Sequence, residues 1–307
     1  MKQLFQNLRS GETRVMDVPV PSPGPGRALV RTAASVVSAG TERSVASFAG
    51  KSILGKIRAR PDLVEQILTK ARRDGLMAAV TAARSRLEAP MPLGYSSAGT
   101  IVALGPDMPG FKVGDRVACA GGGFAVHAEY ALVPKNLLAP LPDSVDFESA
   151  AFTTIGSIAL HGFRLAEVGV GDRVAVIGLG LLGSLMSGIA LAAGCEVLGV
   201  DKELGKVRFV ERMGAKAVLR EQAEAAAQVF SRGRGCDAVL ICADTADSDP
   251  VELAGAVARD RAHVVAVGAV GMDIPRKVYY QKELAVLVSR SYGPGRYDPQ
   301  YEEQGRD

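Results

Sequence analysis

The sequence predicts an α/β protein, a small barrel of short antiparallel strands followed by a doubly wound parallel sheet. Three observations carry this. From Arg173 onward, short β-branched runs alternate with helical stretches, the arrangement that gives a parallel sheet with right-handed crossovers. Before about residue 147 the strands are short and punctuated by glycine and proline, as in a small barrel. The length of 307 residues suffices for two domains of roughly 100–200 residues each.

Residues 1–47 read as an antiparallel β region. A strand is expected over 15–20 and another over 28–33, separated by Pro21-Ser22-Pro23-Gly24-Pro25-Gly26, which is turn chemistry. The small, polar stretch from Val37 to Ser44 follows a strand, a place where loops often carry active-site groups. Residues 48–90 change character. Two helical patterns, one opened by Pro61 and one over 76–87, flank Gly75, and lysines and arginines outnumber acids. The segment is either a basic helical cap that meets an anionic substrate or another subunit, or a solvated insertion with ordinary amphipathic helices.

Short strands and turns return over 91–145, including Gly114-Asp115-Arg116-Val117 and a strand over 127–134 ending at proline. Asp143 to Glu148 supplies a linker and helix cap, and 148–165 reads as one apolar helix. Gly171-Asp172-Arg173-Val174 repeats the pattern of 114–117, which is shared turn chemistry and not an internal repeat. Beyond Asp201, helices are expected over 204–213, 221–230 and 250–258, and strands over 217–219, 237–242, 263–267 and 284–289.

Arg173 to Asp201 is the most informative stretch. A β-branched strand runs into Gly178-Leu179-Gly180-Leu181-Leu182-Gly183, then a small, apolar helix over 184–193 closed by Gly194, then a strand over 196–200 ending on Asp201. Each part has a task. Gly178 permits the tight turn, Gly180 lets a pyrophosphate approach the backbone, and Gly183 lets the helix lie close on the sheet. The helix N-terminus faces the phosphates, and Asp201 is placed to accept the ribose hydroxyls. The residues expected along a dinucleotide are Gly178, Leu179, Gly180, Leu181, Leu182, Gly183, Asp201 and Lys202. Ala243, Val267, Gly268 and Ala269 join them at the carboxyl ends of later strands. The Asp201 charge opposes a 2′-phosphate and so favours NAD over NADP, although Lys202 and Arg208 are nearby cations.

Composition excludes other classes. The net charge of +3 and the absence of tryptophan do not support nucleic-acid binding. No apolar run is long enough for a bilayer, and the first residues lack a signal-peptide core, so a cytoplasmic protein with a small-molecule substrate is expected. The four cysteines form no C-x-x-C pair and read as reduced, buried thiols. The three histidines show no ligand spacing.

These pieces, in this order, resemble the medium-chain dehydrogenase/reductase family, in which a GroES-like barrel is joined to a Rossmann domain. The resemblance implies a barrel domain over 1–147 with its insertion at 48–90, a Rossmann domain over 148–295 and a tail over 296–307. More narrowly, Ser38-Ala39-Gly40-Thr41-Glu42-Arg43, Pro92 to Gly99, the insertion and Ser291 to Tyr297 are similar to the alcohol-dehydrogenase-like half of bacterial bi-domain oxidoreductases. Those carry a second oxidoreductase domain and are linked to sugar metabolism. The family's final return to the barrel is missing, which implies a C-terminally truncated chain. The resemblance also implies homodimers.

Zinc members of the family hold catalytic metal with a cysteine, a histidine and a third cysteine or glutamate. The matching positions hold Ala39, Tyr95 and a residue near Thr154, which are poor zinc ligands, so no zinc is expected. Thr41 corresponds to the family's proton-relay hydroxyl, Tyr95 replaces a ligand histidine, and Glu42 orients that loop. These three are the catalytic candidates of a zinc-independent, NAD(P)-linked oxidoreductase acting on an alcohol or carbonyl. Two alternatives stay open: a dinucleotide-binding module without its own catalysis, and a quinone-reductase-like enzyme.

Overall fold

A computed structural model describes residues 1–7, 10–38 and 89–306. The chain divides into two compact units, Met1–Thr154 with Gln300–Asp307, and Ile155–Pro299.

The first unit is antiparallel. Its strands are β1 (Lys2–Asn7), β2 (Thr13–Asp17), β3 (Arg27–Ser35), β4 (Pro90–Pro92), β5 (Ser96–Leu104), β6 (Arg116–Ala120), β7 (Tyr130–Pro134) and β8 (Leu138–Pro140). They form a curled sheet of order β7-β3-β5-β6-β8 and a smaller one of order β2-β1-β4. Bulges at Leu29/Val30 and Thr32/Ala34 interrupt the β3–β5 ladder, and such bulges bend a strand as a barrel requires. Ala28, Val30, Ala98, Ile101, Val117 and Val133 fill the interior.

Several expectations are corrected here. The expected strand 15–20 lies at Thr13–Asp17, paired to β1. Strand β1 itself was not expected; it pairs with β2, which follows it closely, and with β4, which is far away in the chain. Helix 148–165 is broken into α1 (Phe147–Ala150) and α2 (Thr153–Leu165). The hydroxyl of Thr153 donates to the Ala150 carbonyl at 2.7 Å and that of Ser96 to the Ala151 carbonyl. Those carbonyls would otherwise continue the helical ladder. Asp146 caps α1 by accepting the Ser149 N–H at 2.7 Å. Residues 300–306 lie with the barrel unit: Asn136 Nδ2 donates to the Tyr301 carbonyl at 2.9 Å, and Glu302 is buried. The expected basic insertion lies outside the described residues, save for Ala89 and Pro90.

The second unit contains β9 (Arg173–Ile177), α3 (Leu181–Ala192), β10 (Glu196–Asp201), α4 (Leu204–Arg212), β11 (Lys216–Leu219), α5 (Ala223–Phe230), β12 (Cys236–Ile241), α6 (Asp249–Val257), β13 (Ala258–Ala266), α7 (Arg276–Gln281) and β14 (Ala285–Val288). Its sheet has the order β11-β10-β9-β12-β13-β14 and is parallel throughout. All of β9 is buried, as a central parallel strand must be when both faces are covered. Ala159 and Phe163 of α2, Met186 of α3 and Val210 of α4 cover one face. Phe230 of α5, Leu253 of α6 and Tyr279 of α7 cover the other. Strand β13 starts at Ala258, five residues before the expected 263, and its register against β12 shifts between Ala258 and His263; α7 was not expected.

The two Gly-Asp-Arg-Val echoes share one device. Asp115 accepts the Lys112 N–H at 2.9 Å, Asp172 accepts the Gly169 N–H at 2.8 Å, and Gly114 and Gly171 both adopt positive φ. No helix of the described residues is long and apolar enough to cross a membrane.

Candidate functional site

The strand order reverses between β9 and β12, and a doubly wound sheet binds ligands beyond the carboxyl ends of its strands at such a point. Gly178 leaves β9 with φ of +91°, and a Cβ there would meet the Ala243 backbone nitrogen at 2.6 Å. Only glycine fits. A Cβ on Gly183 would overlap the Gly178 carbonyl oxygen, so α3 lies directly on the turn. Gly180 differs: its φ is −66° and nothing lies within 4 Å of where a Cβ would be. The fold does not need a glycine there. The open space is what a pyrophosphate would fill.

Gly180 is also the N-cap of α3, with no side-chain cap among the described residues. The helix therefore begins at Leu181, three residues before the expected start, because the extended Gly180 backbone caps it without a polar side chain. The first N–H groups of a helix have no partner inside it, and here they are left for an anion.

Asp201 ends β10. Its Oδ2 accepts the Leu179 N–H at 2.7 Å and its Oδ1 the Glu203 N–H at 2.9 Å. The side chain is 10% exposed. Each oxygen keeps a second lone pair, and the two bonds fix the carboxylate beside the turn. Lys206, on the first turn of α4, places its Nζ 3.9 Å from Asp201 Oδ1 and 2.6 Å from Glu203 Oε1. Sequence reasoning named Lys202 and Arg208 and missed Lys206. Its spacing five residues after the acid was the available signal. Lys202 and Arg208 are exposed.

The remaining dinucleotide candidates meet at the same edge. The Cys242 N–H donates to the Ile177 carbonyl at 2.7 Å, and the Val267 and Gly268 N–H groups both donate to the Ile241 carbonyl at 2.9 Å. A Cβ on Gly268 would overlap the Ala243 carbonyl oxygen, and the Ala269 carbonyl accepts the Thr245 N–H at 2.8 Å. Ala243, Val267, Gly268 and Ala269 thus share the rim with the glycine turn. Cys242 lies just behind Gly183. Burial pushes its thiol up to about 12, so it is uncharged packing and not a nucleophile. Ser289, following β14, is buried, and its hydroxyl has no partner among the described residues.

Thr41 and Glu42, like Ala39, lie outside the described residues. Tyr95 is half-buried in a bend before β5, and its carbonyl accepts the Gly121 N–H at 3.0 Å. Thr154 is 1% exposed and donates to the Cys119 carbonyl at 3.2 Å. His127 lies 2.9 Å from the Ser35 hydroxyl and His263 lies 3.2 Å from the Ala166 carbonyl. Among the described residues no three His, Cys, Asp or Glu side chains are grouped to hold a metal.

Two sequence families match these same regions. The alcohol dehydrogenase GroES-like domain matches residues 68–143, and the zinc-binding dehydrogenase domain matches residues 182–303. The chain belongs to the medium-chain dehydrogenase/reductase family. Among its relatives, D-xylulose reductase A of Aspergillus oryzae is 28% identical over 246 residues, covering 68% of each chain. Galactitol-1-phosphate dehydrogenase of Escherichia coli shares the fold with a TM-score of 0.74 at 21% identity, over 95% of this chain and 83% of the other. A zinc-binding-dehydrogenase homologue of Sinorhizobium meliloti 1021, solved bound to NADP, gives a TM-score of 0.70 at 22% identity, over 94% of this chain and 84% of the other. The expected α/β architecture, a GroES-like barrel with a Rossmann sheet, is therefore that of the family.

Two of the positions that the resemblance matches to catalytic zinc ligands carry residues poorly suited to zinc. Alanine at 39 offers no donor, and the hydroxyl of Thr154 is committed to a carbonyl inside the barrel.

Proposed function

We propose that the chain is a zinc-independent oxidoreductase that prefers NAD to NADP and interconverts an alcohol and a carbonyl, with a sugar or polyol as the substrate class. The observation that carries this reading is the cradle at Gly180: a glycine that the fold does not require, capping a helix, beside a fixed carboxylate at Asp201. The residues that would hold a nicotinamide dinucleotide are Gly178 to Gly183, Asp201 and Lys206, then Ala243 and Val267 to Ala269. Bound there, the nicotinamide ring would carry the hydride. The chain's own residues bind and orient it: the α3 N–H groups hold the pyrophosphate, and Asp201 holds the ribose hydroxyls. The Asp201 charge disfavours a 2′-phosphate.

With no zinc to stabilise a developing alkoxide, a hydroxyl donor takes that part. Tyr95 and Thr41 are the proposed donors, with Glu42 positioning the loop. A phenolic O–H can donate a hydrogen bond to a developing oxyanion. The sugar or polyol class is supported by the relatives, a xylulose reductase and a galactitol-phosphate dehydrogenase.

Titration of the purified chain with NADH and NADPH by nicotinamide fluorescence tests the first half. The expected result is tighter binding of NADH. Oxidation of bound NADH by a panel of ketoses and aldoses, with metal analysis of the same preparation, tests the second. Stoichiometric zinc whose removal abolishes turnover would overturn zinc independence. NADH binding without turnover on any carbonyl would leave a binding module instead.

A further inference from the structure

Arg220 is the first residue after β11. In the β10–β11 ladder Asp201 is paired with Leu219, so Arg220 stands at the carboxyl edge one strand over from Asp201, about 4.8 Å away in the pairing direction. Its side chain reaches Asp249, the first residue of α6. Nε lies 3.0 Å from both carboxylate oxygens and Nη2 lies 2.6 Å from Oδ1. Helix α6 follows β12, on the other side of β9. The pair therefore links the two half-sheets on the face carrying α5 and α6, beside the ends of β10 and β9.

Both partners are fixed. Asp249 sits at a helix N-terminus, where a negative charge is favoured, its N–H donates to Asp247 Oδ1 at 3.0 Å, and Pro250 follows it. The guanidinium is 25% exposed and the carboxylate 28%. The hydrogen bond and charge of Arg220 hold the Asp249 carboxyl below its usual range. Two of the guanidinium's donor positions, Nε and Nη2, point at the carboxylate. The Nη1 N–H groups and the flat faces remain for a neighbour, and a planar guanidinium stacks on aromatic rings.

On the dinucleotide reading above, Asp201 holds the ribose, and the adenine attached to that ribose lies farther from the phosphates than Asp201 does. We infer that Arg220, locked in orientation by Asp249, forms a wall of the adenine site and stacks its guanidinium plane on the base. A phosphate would meet only the Nη1 side of the guanidinium, because Asp249 occupies the Nε–Nη2 fork. Two of the local cations already meet acids: Lys206 faces Asp201 and Glu203, and Arg220 faces Asp249. Arg220 is accordingly a positioning residue for the adenine half and takes no part in hydride transfer.

The test compares ligands that carry one half of the dinucleotide. The unaltered protein, R220A and R220K are titrated calorimetrically with 5′-AMP, ADP-ribose, reduced nicotinamide mononucleotide, NADH and NADPH. The expected result for R220A is about tenfold weaker binding of 5′-AMP, ADP-ribose and NADH, with nicotinamide mononucleotide unchanged within about twofold. R220K keeps the charge but not the plane, and is expected to behave like R220A. Should R220A fold poorly, R220M/D249N removes the guanidinium and its partner together and carries the same expectation. Unchanged 5′-AMP affinity overturns the proposal, as does an equal loss for both half-ligands. A loss confined to NADPH makes Arg220 a phosphate ligand and overturns stacking. Failure of the unaltered protein to bind NADH or 5′-AMP overturns the dinucleotide reading itself, a result separable from the others.

Discussion

Gly180 separates a structural turn from a cofactor cradle, and the separation can be worked out from the backbone. Valine at 180 meets no protein atom within 4 Å of its Cβ and adopts φ of −66° without strain. Two small effects on stability oppose each other. A non-glycine side chain restricts the unfolded chain, worth roughly 0.4–1 kcal/mol in favour of folding. An apolar N-cap in place of glycine costs a comparable amount, up to about 1 kcal/mol. The net change stays within about 1 kcal/mol, or roughly 2–4 °C in Tm for a domain of this size. The effect on binding is far larger. A branched side chain in that space keeps a pyrophosphate from the α3 N–H groups. Hydrogen bonds to charged groups contribute about 1.5–3 kcal/mol each, so losing two weakens NADH by roughly a hundredfold to ten-thousandfold. The assay is a thermal melt beside an NADH titration, with G183A as the contrast. A Cβ at 183 collides with the Gly178 carbonyl, so G183A loses both stability and binding. If G180V melts like the parent and still binds NADH with the parent's affinity, the phosphates do not pass Gly180 and the cradle reading fails.

Asp201→Asn keeps an acceptor for a backbone N–H but removes the charge, so the NADPH-to-NADH affinity ratio rises about tenfold in paired fluorescence titrations; an unchanged ratio would show that Asp201 does not set cofactor preference. Tyr95→Phe removes the proposed donor and lowers kcat by about a hundredfold with KM little changed, on whichever carbonyl proves to be reduced. Lys282→Met frees the carbonyls of Gly255, Ala256 and Ala258, which the ammonium now meets at 2.7–2.9 Å. The melt should register a loss of about 1–3 kcal/mol while NADH affinity holds. The Asp249 carboxyl titrates below its unfolded value of 3.8 because Arg220 bonds to it, so its contribution is complete above that pH and is lost as pH falls through the lower, folded value. Asp249→Asn should therefore flatten the part of the Tm-against-pH curve below pH 3.8 and leave neutral pH behaviour to the binding assays.

How far the fold was legible depended on the range of the interactions. Strand β9, the glycine turn and β10 are set within about thirty residues by side chains that answer to local rules, and the reading placed them within a residue or so. The start of α3 was misplaced because the whole fingerprint, Gly178 to Gly183, was read as turn, whereas the chain caps the helix with the backbone at Gly180. The break between α1 and α2 could not be read from 148–165, since half of its cause is the Ser96 hydroxyl, 55 residues from its acceptor. Strand β1 was passed over for a related reason: residues 2–7 have no alternation that marks a strand, and what makes them one is pairing with residues 13–17 and 90–92.

The site divides the same way. The glycines and Asp201 form a motif because one βαβ unit would build the proposed phosphate and ribose contacts from contiguous chain. The adenine side has no such motif. Arg220 and Asp249 are 29 residues apart, and neither stands out among the chain's many charges. What joins them is the strand order β11-β10-β9-β12, which brings the residue after β11 within reach of the helix after β12. A spacing rule cannot express that, because the span between the two contains α5 and β12, whose lengths could change without moving either end. The functional consequence is specific. If the recognition of adenine rests on a topological contact and that of ribose on a local one, lengthening the loop after β12 by a few residues should loosen 5′-AMP while leaving the Asp201 carboxylate, and the discrimination between NADH and NADPH, in place.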